Sequence, residues 1–272
     1  MSTRLRALAI GARAHAALER TDGVARVLVR LHGSVYATVG ETIVWLGGWG
    51  AALHPRAILT DTPIAGQADD VRLDVTGLTP WHPSPLALDA AGRARLAGGW
   101  PALAARAADL GAPGGFGVML TGAPLSFPLD GAAGPAVALA GACARDDPAG
   151  AVDAAVALLG LGGGLTPSGD DFVGGALFVR AALATGTGRL PWRRAAGAVV
   201  AAAPVQTHPI SVALLADLAE GRGWAPLHDL VAALAAADAR SAEAAARALV
   251  GLGHTSGWDL LAGVGAGLGA LT

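Results

Sequence analysis

Lysine is entirely absent from this 272-residue chain, so all of its cationic side chains are arginines or histidines. The absence excludes a Schiff-base lysine, a lysine general base and a Walker-type phosphate loop, which requires its lysine. Cys143 is the single cysteine, which excludes an internal disulfide and a cysteine-based metal site and fits a reducing cytoplasm. Because Arg4, Arg6 and Arg13 interrupt the first apolar run, we expect no signal peptide and a cytoplasmic location.

Charge is also scarce, since charged residues make up 15% of the chain and apolar residues 53%. An average soluble domain has roughly 25% charged residues. The net charge is -2 and no basic stripe is present, so nucleic acid is not an expected partner. The uncharged stretch 195–216 is interrupted by proline and polar residues, so no membrane span is expected. With so little charge for its surface, the chain is expected to form a homo- or hetero-oligomer.

The first part of the chain, residues 1–146, has mostly strand patterns: short β-branched or alternating runs separated by glycine. We predict an opening helix over residues 5–18 and an alanine-rich helix over residues 86–110. The predicted strands cover residues 24–31, 34–39, 42–46, 57–59, 71–75 and 117–121.

The second part, residues 147–272, has helical patterns dominated by alanine and glycine. The predicted helices cover residues 150–159, 169–184, 192–203, 210–220, 227–237, 242–252 and 257–271. Strands first and helices second predict an α+β fold, in which a strand-rich region forms a small barrel or sheet and a helical region follows.

One motif occurs twice in the helical part. Residues 168–175 and 256–263 share the pattern Ser-Gly-x-Asp, then two apolar residues, a small residue and Gly, and each copy follows a loop that contains glycine. A purely structural interpretation makes each copy a helix start, with serine as the N-cap and the aspartates Asp171 and Asp259 bonding back to the cap. Glycines inside a helix indicate close contact between helices.

A functional interpretation starts from the loops before the two motifs. A glycine-rich loop that enters a helix N-terminus exposes backbone N–H groups and forms an anion site. Leu165 occupies the place of the third glycine in a dinucleotide fingerprint, so the loop is not expected to bind a dinucleotide, and no cofactor is predicted. We expect both helix starts to converge on one small anionic substrate. The predicted anion-binding residues are Gly164, Thr166, Ser168, Gly169, Thr207, Thr255, Ser256 and Gly257.

The candidate catalytic residues are Asp170, Asp171 and His254. Asp170 is not needed for a capping box and is therefore available as a functional carboxylate, while His254 directly precedes the second motif. The alternatives are a loop histidine at His254 and an N-cap at Thr207. The residues His208, His254 and Asp170 lack the spacing of a metal motif, so no metal site is predicted.

Residues 160–175 and the stretch Gly253-His254-Thr255-Ser256-Gly257-Trp258-Asp259 resemble the AllH-subunit family associated with oxamate carbamoyltransferase. Thr207 and Ser211 fit the family's Thr-x-x-x-Ser pattern, and residues 33–36 are similar to its early strand, so the likeness is expected to cover most of the chain. Gly163 stands where the family has proline and Thr255 where it has serine. Both departures leave the expected anion donors in place.

The resemblance implies a role in purine-nitrogen catabolism, in which oxalurate and phosphate become oxamate and carbamoyl phosphate, and it implies companion subunits. In this first hypothesis the hydroxyls and amides hold the anions, and His254 or Asp170 moves the proton of the amide nitrogen. A second hypothesis makes the chain a non-catalytic scaffold for other subunits. A third makes it a metal-assisted amidohydrolase or ligase of a ureido acid, with Asp170, Asp171 and His254 as ligands.

Overall fold

The computed structural model describes residues 3–61, 69–84, 86, 88–184 and 189–271. The chain forms two compact units, Met1–Ser84 and Pro85–Thr272. The predicted α+β class is confirmed, because the first unit is a barrel of strands and the second is helical.

The first unit is a closed six-stranded barrel with one helix, α1 (Ala12–Glu19). The strands are β1 (Thr3–Ile10), β2 (Val24–Arg30), β3 (Val35–Val39), β4 (Thr42–Gly48), β5 (Ala57–Thr60) and β6 (Asp70–Asp74). Around the barrel they follow the order β1, β5, β4, β3, β2 and β6, and the β1–β6 and β4–β5 pairs are parallel. The predicted strands of this region are thus confirmed, with small shifts at their ends.

The predicted opening helix over residues 5–18 is wrong, because its first half is strand β1. Leu5 and Ala7 are buried while Arg4 and Arg6 are exposed, which is the two-residue period of a strand with one face in a core. Gly11 separates β1 from α1, and a Cβ at this position would lie 2.1 Å from the carbonyl oxygen of His54. The close approach of the His54 and Pro55 carbonyl groups therefore requires glycine at this point.

The second unit contains ten α-helices among the residues that the structure describes, together with three short 3₁₀ segments at Gly115–Thr121, Asp130–Ala132 and Ala203–Val205. The first five helices are α2 (Ala90–Ala104), α3 (Ala107–Leu110), α4 (Ala133–Ala144), α5 (Pro148–Val156) and α6 (Ser168–Leu183). The other five are α7 (Arg189–Ala202), α8 (Pro209–Ala219), α9 (Ala225–Ala236), α10 (Ala239–Val250) and α11 (Ser256–Gly267). All seven helices predicted after residue 146 are present.

The change from strands to helices occurs earlier than the composition indicates. Helices α2, α3 and α4 belong to the second unit, so the boundary expected at residues 146 and 147 falls inside it. The predicted strand over residues 117–121 is wrong: this segment is part of the 3₁₀ turn Gly115–Thr121. The turn packs against α11, and a Cβ on Gly117 would lie 2.7 Å from Cβ of Trp258, so glycine allows this close approach.

Helices α6 and α11 form the centre of the second unit and run parallel to each other, since Phe172 lies beside Gly263 and Ala176 beside Gly267. A Cβ on Gly175 would lie 2.3 Å from the carbonyl oxygen of Leu260, and a Cβ on Gly263 would lie 2.1 Å from that of Phe172. The two contacts exchange equivalent positions of the repeated motif. The backbones therefore touch directly, which confirms the close helix contact expected from these glycines.

Within the described part of the chain, no helix combines the length and the hydropathy that a membrane crossing needs.

A methyl group at the contact of α6 and α11 should therefore destabilise the second unit. We expect Gly175→Ala to lower the free energy of unfolding by about 1–3 kcal/mol, because the backbones cannot separate without breaking the surrounding packing. The matched control is Gly197→Ala in α7, where the residue is exposed and the added methyl meets no atom within 4 Å. That change should stabilise the chain by up to about 1 kcal/mol. Urea unfolding followed by circular dichroism measures both, and equal effects would contradict the packing argument.

Candidate functional site

The N-termini of α6 and α11 lie side by side and bring four hydroxyl groups together. The Oγ1 of Thr166 is 3.3 Å from the Oγ of Ser256, and the Oγ of Ser168 is 3.3 Å from the Oγ1 of Thr255. These four residues, Thr166, Ser168, Thr255 and Ser256, are called the hydroxyl cluster below. The structure thus joins the two motifs, as their convergence on one site requires.

The capping boxes predicted for the two motifs are wrong. The N-cap residues are Pro167 for α6 and Thr255 for α11, and neither forms a side-chain cap hydrogen bond. Ser168 and Ser256 are the first helical residues, one position later than predicted. Their hydroxyls reach across to the other helix start instead of back to their own backbone, because the two starts are close enough to contact.

The loop before α6 leaves several backbone amides available. Gly162 and Gly164 have φ values of +107° and +90°, a region that favours glycine, and both Gly163 and Gly164 are exposed. Among the residues described, no backbone carbonyl accepts a hydrogen bond from the amides of residues 162–164. Free amides on a loop that leads into a helix N-terminus form an anion-binding arrangement.

Two of the predicted amide donors are already engaged. The N–H of Gly169 donates to the carbonyl of Leu161 at 2.9 Å, and the N–H of Gly257 donates to the carbonyl of Leu252 at 3.1 Å. A Cβ on either glycine would collide with a backbone carbonyl at 1.9 Å. These two glycines therefore let the preceding chain pack tightly on each helix start, whereas the amide of the exposed Gly164 donates to no backbone carbonyl among the described residues.

Asp170 is buried and holds three chain segments together. Its Oδ1 accepts the N–H of Gly160 at 2.8 Å, and its Oδ2 accepts the hydroxyl of Ser211 at 2.6 Å and that of Thr207. The carboxylate thus fastens the glycine loop and the start of α8 to α6. Because its oxygens are occupied by these donors, the geometry favours a positioning role for Asp170 and Thr207 over direct contact with a substrate.

Asp171 lies next to the hydroxyl cluster and is 3% exposed. Burial raises its pKa well above the usual range, and the neighbouring Asp259 carboxyl raises it further, while the hydroxyls of Ser256 and Thr166 act in the opposite direction. Its Oδ2 is buried without a hydrogen bond of normal geometry to any described group. A carboxyl group in these surroundings is stable in its neutral form.

Asp259 occupies the equivalent position in α11 and is fully buried. Its Oδ1 accepts the N–H of Phe116 at 2.6 Å, while its Oδ2 has no such partner in the described part of the chain. Burial raises the pKa of Asp259 to about 7, although the Phe116 amide and the hydroxyls of Ser168 and Thr255 lower it. A Cβ on Gly115, which has a φ of +53°, would lie 2.1 Å from this Oδ1, so only glycine fits there.

Sequence reasoning treated Asp259 only as a helix cap and did not connect the Gly115–Thr121 turn with the motif. The repeated motif could have indicated Asp259 as a candidate site residue, because it aligns this residue with Asp171. The contact between Phe116 and Asp259 joins residues far apart in the chain and has no local pattern.

His254 and His208, the two histidines near the predicted site residues, lie in different structural positions. His254 is exposed in the loop that leads to Thr255. His208 is the N-cap of α8 and accepts the N–H of Ile210 through Nδ1 at 3.2 Å, so the prediction of Thr207 as that cap is wrong.

Within the described ranges, no group of three or more His, Cys, Asp or Glu side chains is arranged to hold a metal ion, so the metal-dependent hypothesis gains no support.

Comparison with known proteins gives a match to a family model. The model of the family described as oxamate carbamoyltransferase subunit AllH matches residues 158–268, a range that contains both motifs and helices α6 to α11. The predicted family resemblance is thus confirmed over this segment, while its extension to the early strands stays a prediction. No curated protein and no solved structure matches the chain.

The raised pKa of Asp259 predicts that stability falls as pH rises. Between its ordinary pKa of 3.8 and about 7 the folded chain binds a proton that the unfolded chain has released, so the unfolding free energy decreases over this interval. We expect Asp259→Asn to remove about 2–4 kcal/mol of this decrease. Asp153→Asn, at an exposed position of α5, should leave the profile unchanged. Urea unfolding at several pH values measures the profile; the same slope in both variants would contradict the assignment.

Proposed function

We propose that this chain, which matches the oxamate carbamoyltransferase subunit AllH family over residues 158–268, contributes the anion-binding site of a carbamoyltransferase. Its substrates are small ureido- or oxamate-type anions together with phosphate or carbamoyl phosphate, and its place is in purine-nitrogen catabolism. The observation that carries the proposal is the hydroxyl cluster at two adjacent helix N-termini.

The electrostatics of the helix pair support an anion. Each helix N-terminus carries about half a positive elementary charge, and α6 and α11 present theirs at the same place because they run parallel. The chain has no lysine to supply charge there. Hydroxyl donors and the free amides of residues 162–164 add hydrogen bonds without a formal charge of their own.

The repeat supplies two sets of donors, and the reaction needs two anions. In this proposal the amide of Gly164 with the hydroxyls of Thr166 and Ser168 holds phosphate. The hydroxyls of Thr255 and Ser256 hold the carboxylate of the ureido acid. Donors aimed at the carbamoyl oxygen stabilise the tetrahedral intermediate, which is commonly the largest catalytic contribution of such a site.

The transfer itself requires one proton. A phosphate oxygen attacks the carbamoyl carbon, the bond from that carbon to the amide nitrogen breaks, and the departing nitrogen takes up a proton. His254 is the proposed acid, because it is exposed, directly precedes Thr255 of the cluster and carries an imidazole, the side chain that most often acts as a general acid. Asp170 positions the glycine loop, and the neutral carboxyl of Asp171 supports the hydroxyls of Thr166 and Ser256.

A second candidate function is a scaffold that holds other subunits without taking part in the chemistry. Exposed apolar side chains of the second unit favour it: Phe127 is 87% exposed, Val205 is 90% exposed, and Leu190 and Val137 are each more than half exposed. Such residues are suited to contact with another chain. Companion subunits belong to both candidate functions, so the difference between them lies in whether substitutions at the hydroxyl cluster change turnover.

Replacing the proposed acid should slow the reaction without unfolding the chain. We expect His254→Ala to lower kcat by about 10²-fold, within the range typical of general acid catalysis, because the leaving nitrogen loses its proton donor. His32→Ala, at an exposed histidine of the first unit, is the control. Carbamoyl phosphate formation from oxalurate and phosphate is measured in the complex with companion subunits. Wild-type turnover in His254→Ala would exclude this residue as the acid.

Removing one hydroxyl should weaken anion binding. We expect Ser256→Ala to raise the Kd for oxamate about tenfold, since a hydrogen bond to a charged group contributes about 1.5–3 kcal/mol. Ser126→Ala removes an exposed hydroxyl outside the matched segment and should leave the Kd unchanged. Isothermal titration calorimetry gives both constants. Equal constants for the two variants, with full activity of Ser256→Ala in the complex, would favour the scaffold.

A further inference from the structure

The carboxyl group of Asp259 interacts with two members of the hydroxyl cluster, Ser168 and Thr255. Its Oδ1 is fixed by the N–H of Phe116 at 2.6 Å, whereas its Oδ2 is completely buried and has no hydrogen bond of normal geometry in the described structure. The hydroxyls of Ser168 and Thr255 lie close enough to act on this carboxyl and contact each other at 3.3 Å. Buried polar atoms in folded proteins normally have a hydrogen-bond partner, so this oxygen calls for an explanation.

We infer that Asp259 is a positioning residue whose protonation state sets the direction in which the hydroxyls of Ser168 and Thr255 donate, so that anion binding at the cluster is coupled to its proton. The inference rests on the proposed function, since it concerns the same anion site. It adds a residue that neither the motif analysis nor the family match assigns to the site.

The coupling follows from the hydrogen-bonding capacity of a hydroxyl, which has a single hydrogen to donate. When Asp259 is ionised, its carboxylate accepts the hydrogens of Ser168 and Thr255, and both hydroxyls then point inward. When Asp259 is protonated, its own O–H donates to one of these hydroxyl oxygens, and the hydroxyl hydrogens are free to point toward an anion. The ionised carboxylate also repels the anion directly.

The other acidic groups near Asp259 lie on α6, where Asp171 faces the start of α11 and Asp170 faces α8 and the glycine loop. Asp170 accepts three hydrogen bonds, and Asp171 lacks a backbone donor equivalent to the Phe116 amide in the described structure. The proton therefore stays on Asp171 while Asp259 ionises.

The remaining elements around α11 contribute little charge to this point. The Gly115–Thr121 turn and helix α4 carry no acidic or basic residue, and His254 is exposed in the preceding loop. The charged residues of α10, all partly or fully exposed, are Arg240, Glu243 and Arg247. Asp259 is thus the carboxyl group at the cluster whose pKa burial raises to about 7.

Oxamate is the suitable probe, because its carboxylate stays ionised over the whole range while phosphate itself titrates. Its Kd is measured by calorimetry from about pH 5 to about pH 9 with the full chain, alone and with companion subunits. We expect the Kd of the wild type to rise about tenfold or more across about pH 7. In Asp259→Asn, which keeps an oxygen for the Phe116 amide, the Kd should stay constant over the range.

Four further variants separate Asp259 from its neighbours. Asp171→Asn and the exposed control Asp153→Asn should keep the pH slope of the wild type, and His254→Ala should keep it as well. Ser168→Ala, which removes one of the hydroxyls through which Asp259 acts, should reduce the slope even if Asp259→Asn fails to fold.

The outcomes distinguish the inference from the proposed function. Binding of oxamate with the same Kd at every pH, or an unchanged slope in both Asp259→Asn and Ser168→Ala, would overturn the inference and leave the anion site intact. A slope that disappears in His254→Ala would assign the coupling to the imidazole and overturn it too. Failure of oxamate and phosphate to bind at any pH, with or without companion subunits, would overturn both.

Discussion

Direct backbone contact between α6 and α11 is the constraint on which the site depends. Gly175 and Gly263 let each helix touch a carbonyl of the other, at Leu260 and Phe172 respectively. Larger side chains would hold two helix axes about 8–10 Å apart. At that separation the hydroxyls of opposite helix starts could not meet at 3.3 Å, and each N-terminus would act alone. The short distance between the two helices thus determines which groups meet at their N-termini.

Close packing of the two helix starts makes ionisation of their carboxyl groups less favourable. Bringing the helix starts together buries Asp171 and Asp259 beside each other, and two adjacent carboxyl groups without water cannot both ionise easily. The Phe116 amide relieves this for Asp259 alone, so two residues that are equivalent in sequence differ in their affinity for a proton. A third element of the unit therefore breaks the symmetry of the repeat.

Local patterns were sufficient for most of the fold and for the members of the hydroxyl cluster. Two-residue alternation and β-branched runs predicted the barrel strands, and the Ser-Gly-x-Asp repeat predicted that Ser168 and Ser256 would share a site. The prediction of an opening helix was wrong because the short sequence of β1 is compatible with a helix or a strand. Its pairing with β5 and β6 selects the strand. The predicted strand over residues 117–121 was wrong because the conformation of this segment depends on its packing against α11.

The different roles of Asp170 and Asp171 also depend on contacts with other elements. The sequence favoured Asp170 as the functional carboxylate and Asp171 as a helix cap, whereas in the structure Asp170 fastens chain segments and Asp171 lies beside the hydroxyl cluster. On a helix, consecutive side chains point about 100° apart, so neighbours in sequence face different surroundings. Asp170 faces α8 and the glycine loop, where Thr207, Ser211 and Gly160 donate hydrogen bonds to both of its carboxyl oxygens. Asp171 faces α11, where the nearest carboxyl is Asp259, and its neutral form is favoured. A motif can therefore identify both aspartates, but the element that each one faces decides that Asp170 fastens chain segments while Asp171 favours its neutral form.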